Sequence, residues 1–366
     1  MNEDRATRYN RLKRQVGVAS KLWSAVFLVL LLSTGAAQAL RNVSEAMASP
    51  GWTAVALYVV LLILLAEVGS LPLAFYGGFV LERRYGLSRQ PLGTWMADQA
   101  KSLALGFVLA VPAACILYAL IARFPQSWWA PAAVVFGLLA VGLANLAPLV
   151  LLPLFYSVKP ITRPELRSRL VALGERAGAR VLDAYEWGLG EKTSRANAAL
   201  TGIGHSRRIL VSDTMLAQYS DDEIEVVLAH ELAHHVHGDI WKGLLFEAAL
   251  IVVGFRVAAA ALHRLAPLVG LRGVDDPAGL PLLLLSAGAV SLVMLPLAHA
   301  MSRAHERRAD RFALALTKNP QAFVSAMRRL AAQNLAEEEP SALVRVLFHS
   351  HPPIRERIAA AQTFRG

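Results

Sequence analysis

One cysteine, Cys115, stands in 366 residues. An intrachain disulfide is therefore excluded, and the apolar run around Cys115 makes it a packing residue. Charge is scarce as well. Only 17% of residues are charged and 55% are hydrophobic, whereas soluble domains carry about a quarter charged residues. An ordinary soluble domain is excluded on that ground. Acidic residues are the scarcer sign, 27 against 37 basic, for a formal charge of +10. Such an excess could serve nucleic acid. Here the basic residues cluster beside apolar runs, so membrane topology is the better account and no nucleic-acid partner is expected. The chain has no internal repeat and no low-complexity tract.

What is present in quantity is apolar sequence. Six stretches approach the roughly 20 residues a bilayer requires: 22–40, 52–75, 103–121, 132–155, 244–262 and 280–298. Residues 36–39 resemble a signal-cleavage site, but the long apolar core of the first stretch makes it an anchor. Arg5, Arg8, Arg11, Lys13, Arg14 and Lys21 precede that stretch. Arg83, Arg84, Arg89 and Lys101 lie between the second and third; Lys159, Arg163, Arg167 and Arg169 follow the fourth. By the positive-inside rule both termini and the segment after the fourth stretch face the cytoplasm.

The polar remainder reads as mixed structure. Residues 164–177 form an amphipathic helix, 208–211 a short strand, 301–317 and 320–333 two helices, and a last helix starts near Pro353. The expected fold class is mainly α: a polytopic membrane helical bundle with a cytoplasmic domain carrying a small β-sheet. The expected division is 1–156 (four spans), 157–240 (first part of the polar domain), 241–300 (a two-span hairpin) and 301–366 (its C-terminal part).

His230-Glu231-Leu232-Ala233-His234 is an H-E-x-x-H motif. Ser220 and Glu223 form an S-x-x-E capping box ahead of it. Ile224, Val227, Leu228 and Leu232 recur at helical spacing, and Gly238 is placed to end the helix. On a helix, residues four apart share a face, so His230 and His234 can hold one Zn2+ ion. Glu231 then sits where it can deprotonate a water activated by the metal. His235 and His237 lie off that face. A catalytic site needs a third protein ligand. Glu306 is the candidate, with Asp310 one turn on to orient a ligand histidine. The same stretch also reads as an exposed charged helix with ion pairs to Arg303 and Arg307.

Taken together, H-E-L-A-H, the S-R-x-x-E-x-x-A-D pattern of residues 302–310, and His351-Pro352-Pro353 with Arg357 resemble the integral-membrane zinc metallopeptidases of the type I CAAX prenyl protease family and its HtpX relatives. Residues 197–202 are similar to that family's N-A-x-x-x-G segment, and Asp213-Thr214-Met215-Leu216 matches as well. Phe75-Tyr76, residues 82–87, Asp98 and Lys101 point to the prenyl-protease branch. The resemblance covers most of the chain from Leu71 onward. The eukaryotic members have seven spans where six are read here, and HtpX proteases have two spans before the motif where four are read here. The resemblance implies a gluzincin-like zinc peptidase domain with Glu306 as third ligand. It also implies His351 near the active site, Arg357 beside Asp310 or another buried acid, and Asn197, Ala198, Ala199 and Gly202 on an edge strand that receives substrate backbone. Read as residues alone, His351 also suits a turn, Arg357 a surface arginine and Asn197 a turn asparagine.

Glu67, Glu247 and Arg256 lie in apolar runs, where ionisable groups are costly. Trp241 is seven residues past His234, and Glu306 eight past Ala298. On continuous helices those are rises of about 10 and 12 Å, so the site belongs at the cytoplasmic membrane face. The expectation is a membrane zinc metalloendopeptidase of the bacterial inner membrane. It would act on membrane-associated or lipidated proteins, by CAAX-type processing or by membrane-protein quality control. The competing class is a non-proteolytic scaffold or channel with a structural zinc. A structural site would close the fourth position with Cys or His. The motif has no cysteine nearby, and the spans have no strong run of pore-lining polar residues.

Overall fold

The structure, a computed structural model, describes residues 4–49, 51–179, 181–202 and 207–365. The terminal residues 1–3 and 366 lie outside the described residues. Helix α1 (Arg5–Ser33) begins at Asp4, whose carboxylate accepts from the Thr7 N–H. It ends before Gly35, whose φ of +76° turns the chain into α2 (Ala36–Met47). The expected span 22–40 therefore crosses a break, because a left-handed glycine ends the helical hydrogen-bond ladder. α3 (Trp52–Phe75) continues through a π-helical turn, Tyr76–Val80, into α4 (Leu81–Arg84). Gly77 in that turn is required by packing, since a Cβ there would lie 2.7 Å from Val16 Cγ1 of α1. α5 (Leu92–Arg123), α6 (Trp129–Val150) and the short α7 (Leu152–Phe155) complete the N-terminal half.

A four-stranded sheet follows, of β1 (Val158–Pro160), β2 (Asp183–Trp187), β3 (Ala198–Thr201) and β4 (Arg208–Ser212), with α8 (Pro164–Arg176) after β1. The order is β1-β2-β4-β3. β2 and β4 run parallel; the two outer pairings are antiparallel, leaving β3 as an edge. After α9 (Asp213–Gln218) comes α10 (Asp221–Val236), the H-E-x-x-H helix. α11 (Asp239–Leu265) and α12 (Leu280–Thr317) re-enter the apolar region, and α13 (Pro320–Asn334), α14 (Ala342–Phe348) and α15 (Ile354–Gln362) close the chain.

Among the described residues, six helices are long and apolar enough to cross a membrane, by length and composition. Their outer faces carry Val26, Leu30, Val68, Val108, Leu138, Leu245, Leu292 and Val293 exposed. That much exposed apolar surface suits lipid rather than water. Two cores result. One joins α1–α3, α5, α6, α11 and α12 around Tyr58, Ile121, Trp128 and Leu262. The other packs the sheet, α8, α10, α12, α13 and α15 around Leu170, Ile209, Leu228 and Phe323.

Of the two continuous helices expected to carry the ligands, one is broken. α10 and α11 are not one continuous helix: Gly238, at φ +66°, breaks the chain between His234 and Trp241. The other, through residues 301–317, is continuous. α12 runs 38 residues without interruption from the apolar stretch through Glu306 and Asp310.

Candidate metal centre

α10 is held in place before it presents any chemistry. The Ser220 side chain accepts from the Glu223 N–H, and the Glu223 carboxylate accepts from the Ser220 N–H. Ile224, Leu228 and Leu232 are fully buried. Each such side chain contributes about 1.5–3 kcal/mol of transfer free energy. The opposite face carries His230 and His234, whose ring centroids lie 5.1 Å apart at an interplanar angle of 83°. α12 packs alongside and brings Glu306 to both: Oε2 is 3.2 Å from His230 Nε2, and Oε1 is 3.4 Å from His234 Nε2. One ligand atom from each of the three lies within 4.8 Å of the others.

The outer nitrogens are also engaged. His230 Nδ1 lies 2.8 Å from Asp310 Oδ1, and His234 Nδ1 lies 3.0 Å from Asp239 Oδ2. With carboxylate acceptors there, the proton belongs on each Nδ1 and the Nε2 lone pairs face the common point. Arg357 of α15 donates to Asp310 through Nε at 2.9 Å and Nη2 at 2.6 Å. Asp239 is held in turn by Arg308 and by Lys242 at 3.4 Å.

Does a cation fit these residues? Glu306 Oε2 is buried and has no hydrogen-bond partner among the described residues. Glu231, Glu306 and Asp310 all act on the guanidinium of Arg357. Burial alone would push the His230 imidazole down, yet the Asp310 and Glu306 carboxylates beside it outweigh that and lift it to about 9. The cluster thus draws in positive charge. Two imidazoles and a carboxylate are a donor set of the kind that catalytic zinc takes. The residues fit a metal ion.

Glu231, His351 and Arg357 line one cavity of 390 Å³ with His230 and Glu306. Burial pushes the Glu231 carboxyl up, although His230 and His234 oppose it. His351 Nε2 is 3.3 Å from Glu306 Oε1, and Ser350 Oγ is 2.9 Å from His351 Nδ1. Asn197 and Ala198, at the start of the β3 edge, line the same cavity. Ala199 lies within β3, and Gly202 follows it at φ +88°, lining a neighbouring 240 Å³ cavity with His234. His237 is turned back onto the Ala233 carbonyl at 2.8 Å.

Residues 160–365 match Peptidase family M48, and residues 2–157 match the family described as CAAX prenyl protease N-terminal, five membrane helices. The chain belongs to peptidase family M48. This M48 chain is 31% identical over 341 residues to the uncharacterised metalloprotease YhfN of Bacillus subtilis, covering 92% of this chain and 80% of that one. It is 26% identical to CAAX prenyl protease 1 of Saccharomyces cerevisiae, over 81% of this chain and 69% of that one. The fold matches the crystal structure of S. mikatae Ste24p at a TM-score of 0.88 and 22% identity, covering 97% of this chain and 88% of that one. The protein is therefore an integral membrane metalloprotease with a metal cofactor and protein or peptide substrates. Its N-terminal family is described with five membrane helices; among the described residues of the matched segment 2–157 there are four long apolar helices and the shorter α2.

Two residues on this M48 site carry more than their sequence showed. Asp239 reads as a local helix cap, but it holds His234 Nδ1. The turn at Gly238 brings it back, and an acid five residues after the second histidine is the available signal. His235 reads as a bystander, but its Nε2 lies 3.3 Å from the Leu200 carbonyl of β3. No sequence signal marks that contact.

Proposed function

We propose that the chain is a zinc metalloendopeptidase in which His230, His234 and Glu306 hold one Zn2+ and Glu231 is the general base. The observation that carries this is the convergence of two Nε2 atoms and the Glu306 carboxylate, with Glu231 in the same cavity. A zinc ion held there would activate water at neutral pH and polarise the scissile carbonyl. Glu231 accepts the proton of the attacking water and delivers it to the leaving amine. Its raised carboxyl pKa suits both halves of that transfer. Ser350 can donate to His351 Nδ1, which leaves Nε2 as an N–H able to donate to the developing oxyanion. Asp310 and Asp239 fix the ring orientation of His230 and His234, and Arg357 keeps Asp310 ionised. Substrate backbone adds by strand addition along the β3 edge, within the segment that carries Asn197, Ala198, Ala199 and Gly202.

Lipidated or membrane-associated proteins are the substrates this reading favours. Glu306 lies eight residues beyond Ala298, at the end of the apolar stretch, a rise of about 12 Å on continuous α12. The name of the yeast relative, CAAX prenyl protease 1, adds CAAX-type processing as one class; quality control of membrane proteins is the other. The bacterial inner membrane is the site this reading proposes, and the loop charges favour the metal site and both ends on its cytoplasmic side. The division at residues 156, 240 and 300 follows from the same reading.

The decisive experiment is cleavage of a reporter peptide by the purified protein in detergent, with metal analysis. Zinc near one per chain, loss of cleavage with a chelator and return with zinc are expected. Cleavage that survives complete metal removal would end this reading.

A further inference from the structure

The edge of β3 is bracketed. The Ser212 N–H donates to the Asn197 carbonyl at 2.9 Å, and the register pairs Ala199 with Leu210 and Thr201 with Arg208. In an antiparallel ladder alternate residues face the partner strand. Asn197, Ala199 and Thr201 therefore turn their backbone groups towards β4, while Ala196, Ala198 and Leu200 turn theirs outward. The outward groups are not equally free. Asn334, the last residue of α13, takes both groups of Ala196: its Oδ1 accepts from the N–H at 3.2 Å, and its Nδ2 donates to the carbonyl at 3.3 Å. At the other end His235 Nε2 occupies the Leu200 carbonyl at 3.3 Å. Among the described residues, the N–H and carbonyl of Ala198 and the N–H of Leu200 stay open.

We propose that Asn334 and His235 are positioning residues that fix the length of substrate backbone this protease pairs with. A side-chain amide mimics a neighbouring strand at one end, and an imidazole N–H does so at the other, so added substrate residues find no edge to join. The window between them lies over the metal site. Ala198 and Asn334 line the cavity that holds His230 and Glu231, and Leu200 and His235 line the one that holds His234. The enzyme thus reads a short backbone stretch around the scissile bond, and longer peptides gain nothing from β3. This rests on the strand-addition reading above.

The test is binding rather than turnover, in the metal-loaded Glu231→Gln protein in detergent. Fluorescent peptides are lengthened one residue at a time from each end, and esters replace single amides along the longest. Affinity should rise with length and then level at both ends. An ester opposite the Ala198 carbonyl should weaken binding about 2- to 10-fold, the worth of one hydrogen bond. An ester at the next outward amide, opposite Leu200, should cost nothing. In His235→Phe that second ester should become costly and one further residue should add affinity, while His235→Gln, which can still donate, keeps the plateau. Asn334→Leu should lift the plateau at the opposite end. If the ester opposite Leu200 already weakens binding to the protein with His235 intact, the bracket is wrong and strand addition stands. If no ester costs anything, strand addition itself is wrong and the bracket falls with it.

Discussion

Glutamine keeps the shape of Glu231 but loses its charge and its ability to take a proton. Glu231→Gln is expected to keep its metal and lose about 10²- to 10⁴-fold in kcat, the usual worth of a general base. Near-normal kcat with normal metal content would remove Glu231 from the chemistry. Glu306→Ala should do the reverse and empty the site, because it deletes the only carboxylate within reach of both Nε2 atoms among the described residues. Elemental analysis reads this directly; unchanged stoichiometry would count against the ligand role. Asp239→Asn tests the layer behind. It leaves His234 in place but weakens the acceptor on Nδ1, so metal affinity should fall about 10- to 100-fold. A competition titration with a chelating dye would show it, and an unshifted curve would remove Asp239 from any part in holding the metal.

At the scale of the element, α10 depends on its first turn. Glu223 accepts from Ser220 N–H, from Ser325 Oγ at 2.5 Å and from Arg329 Nε at 2.9 Å. Burial pushes its carboxyl up, but those hydrogen bonds outweigh burial and hold it below the ordinary value of 4.5. A carboxyl lowered on folding stabilises the native state fully above its unfolded pKa. That contribution is lost as pH falls through the lower, folded value. Thermal unfolding in detergent should therefore fall on acidification from about pH 5, and Glu223→Gln should flatten that dependence. Parallel curves for the two proteins would show that Glu223 carries no such linkage. Much of this element was legible beforehand, because capping box, apolar stripe and terminal glycine are all local signals. Gly238 is legible as the end of α10, but that its left-handed turn also interrupts the axial rise to Trp241 is not.

For the whole molecule the question is which way the bundle faces. With Cys115 replaced, single cysteines placed beside Arg8 and beside Gln362 should react with a membrane-impermeant thiol reagent only after the cells are opened. One beside Arg272, in the loop between α11 and α12, should react in intact cells. The reverse pattern would invert the topology and place the metal site outside. The same scale shows how the two halves are joined. Glu82 accepts from Tyr9 at 2.7 Å, Lys13 at 2.5 Å and Arg195 at 2.9 Å, tying α1 and α4 to the segment that leads into β3. Glu82 was visible as part of a family-like stretch, but its partners lie 69 to 113 residues away.

Short-range periodicity is what the chain alone determined. It marked six apolar helices, the helix that puts His230 and His234 on one face, and the helical turn that puts Asp310 behind Glu306. These follow from a fixed rise and a fixed number of residues per turn, which any reader of the sequence can count. Tertiary structure decided which helices meet; for Glu306 and Arg357 the family resemblance, and no local period, had implied the pairing. The Glu306 carboxylate against two imidazoles, Arg357 on Asp310, Asn334 on Ala196 and His235 on Leu200 join residues 35 to 138 positions apart. Such contacts depend on packing two cores at once, and no local period encodes that.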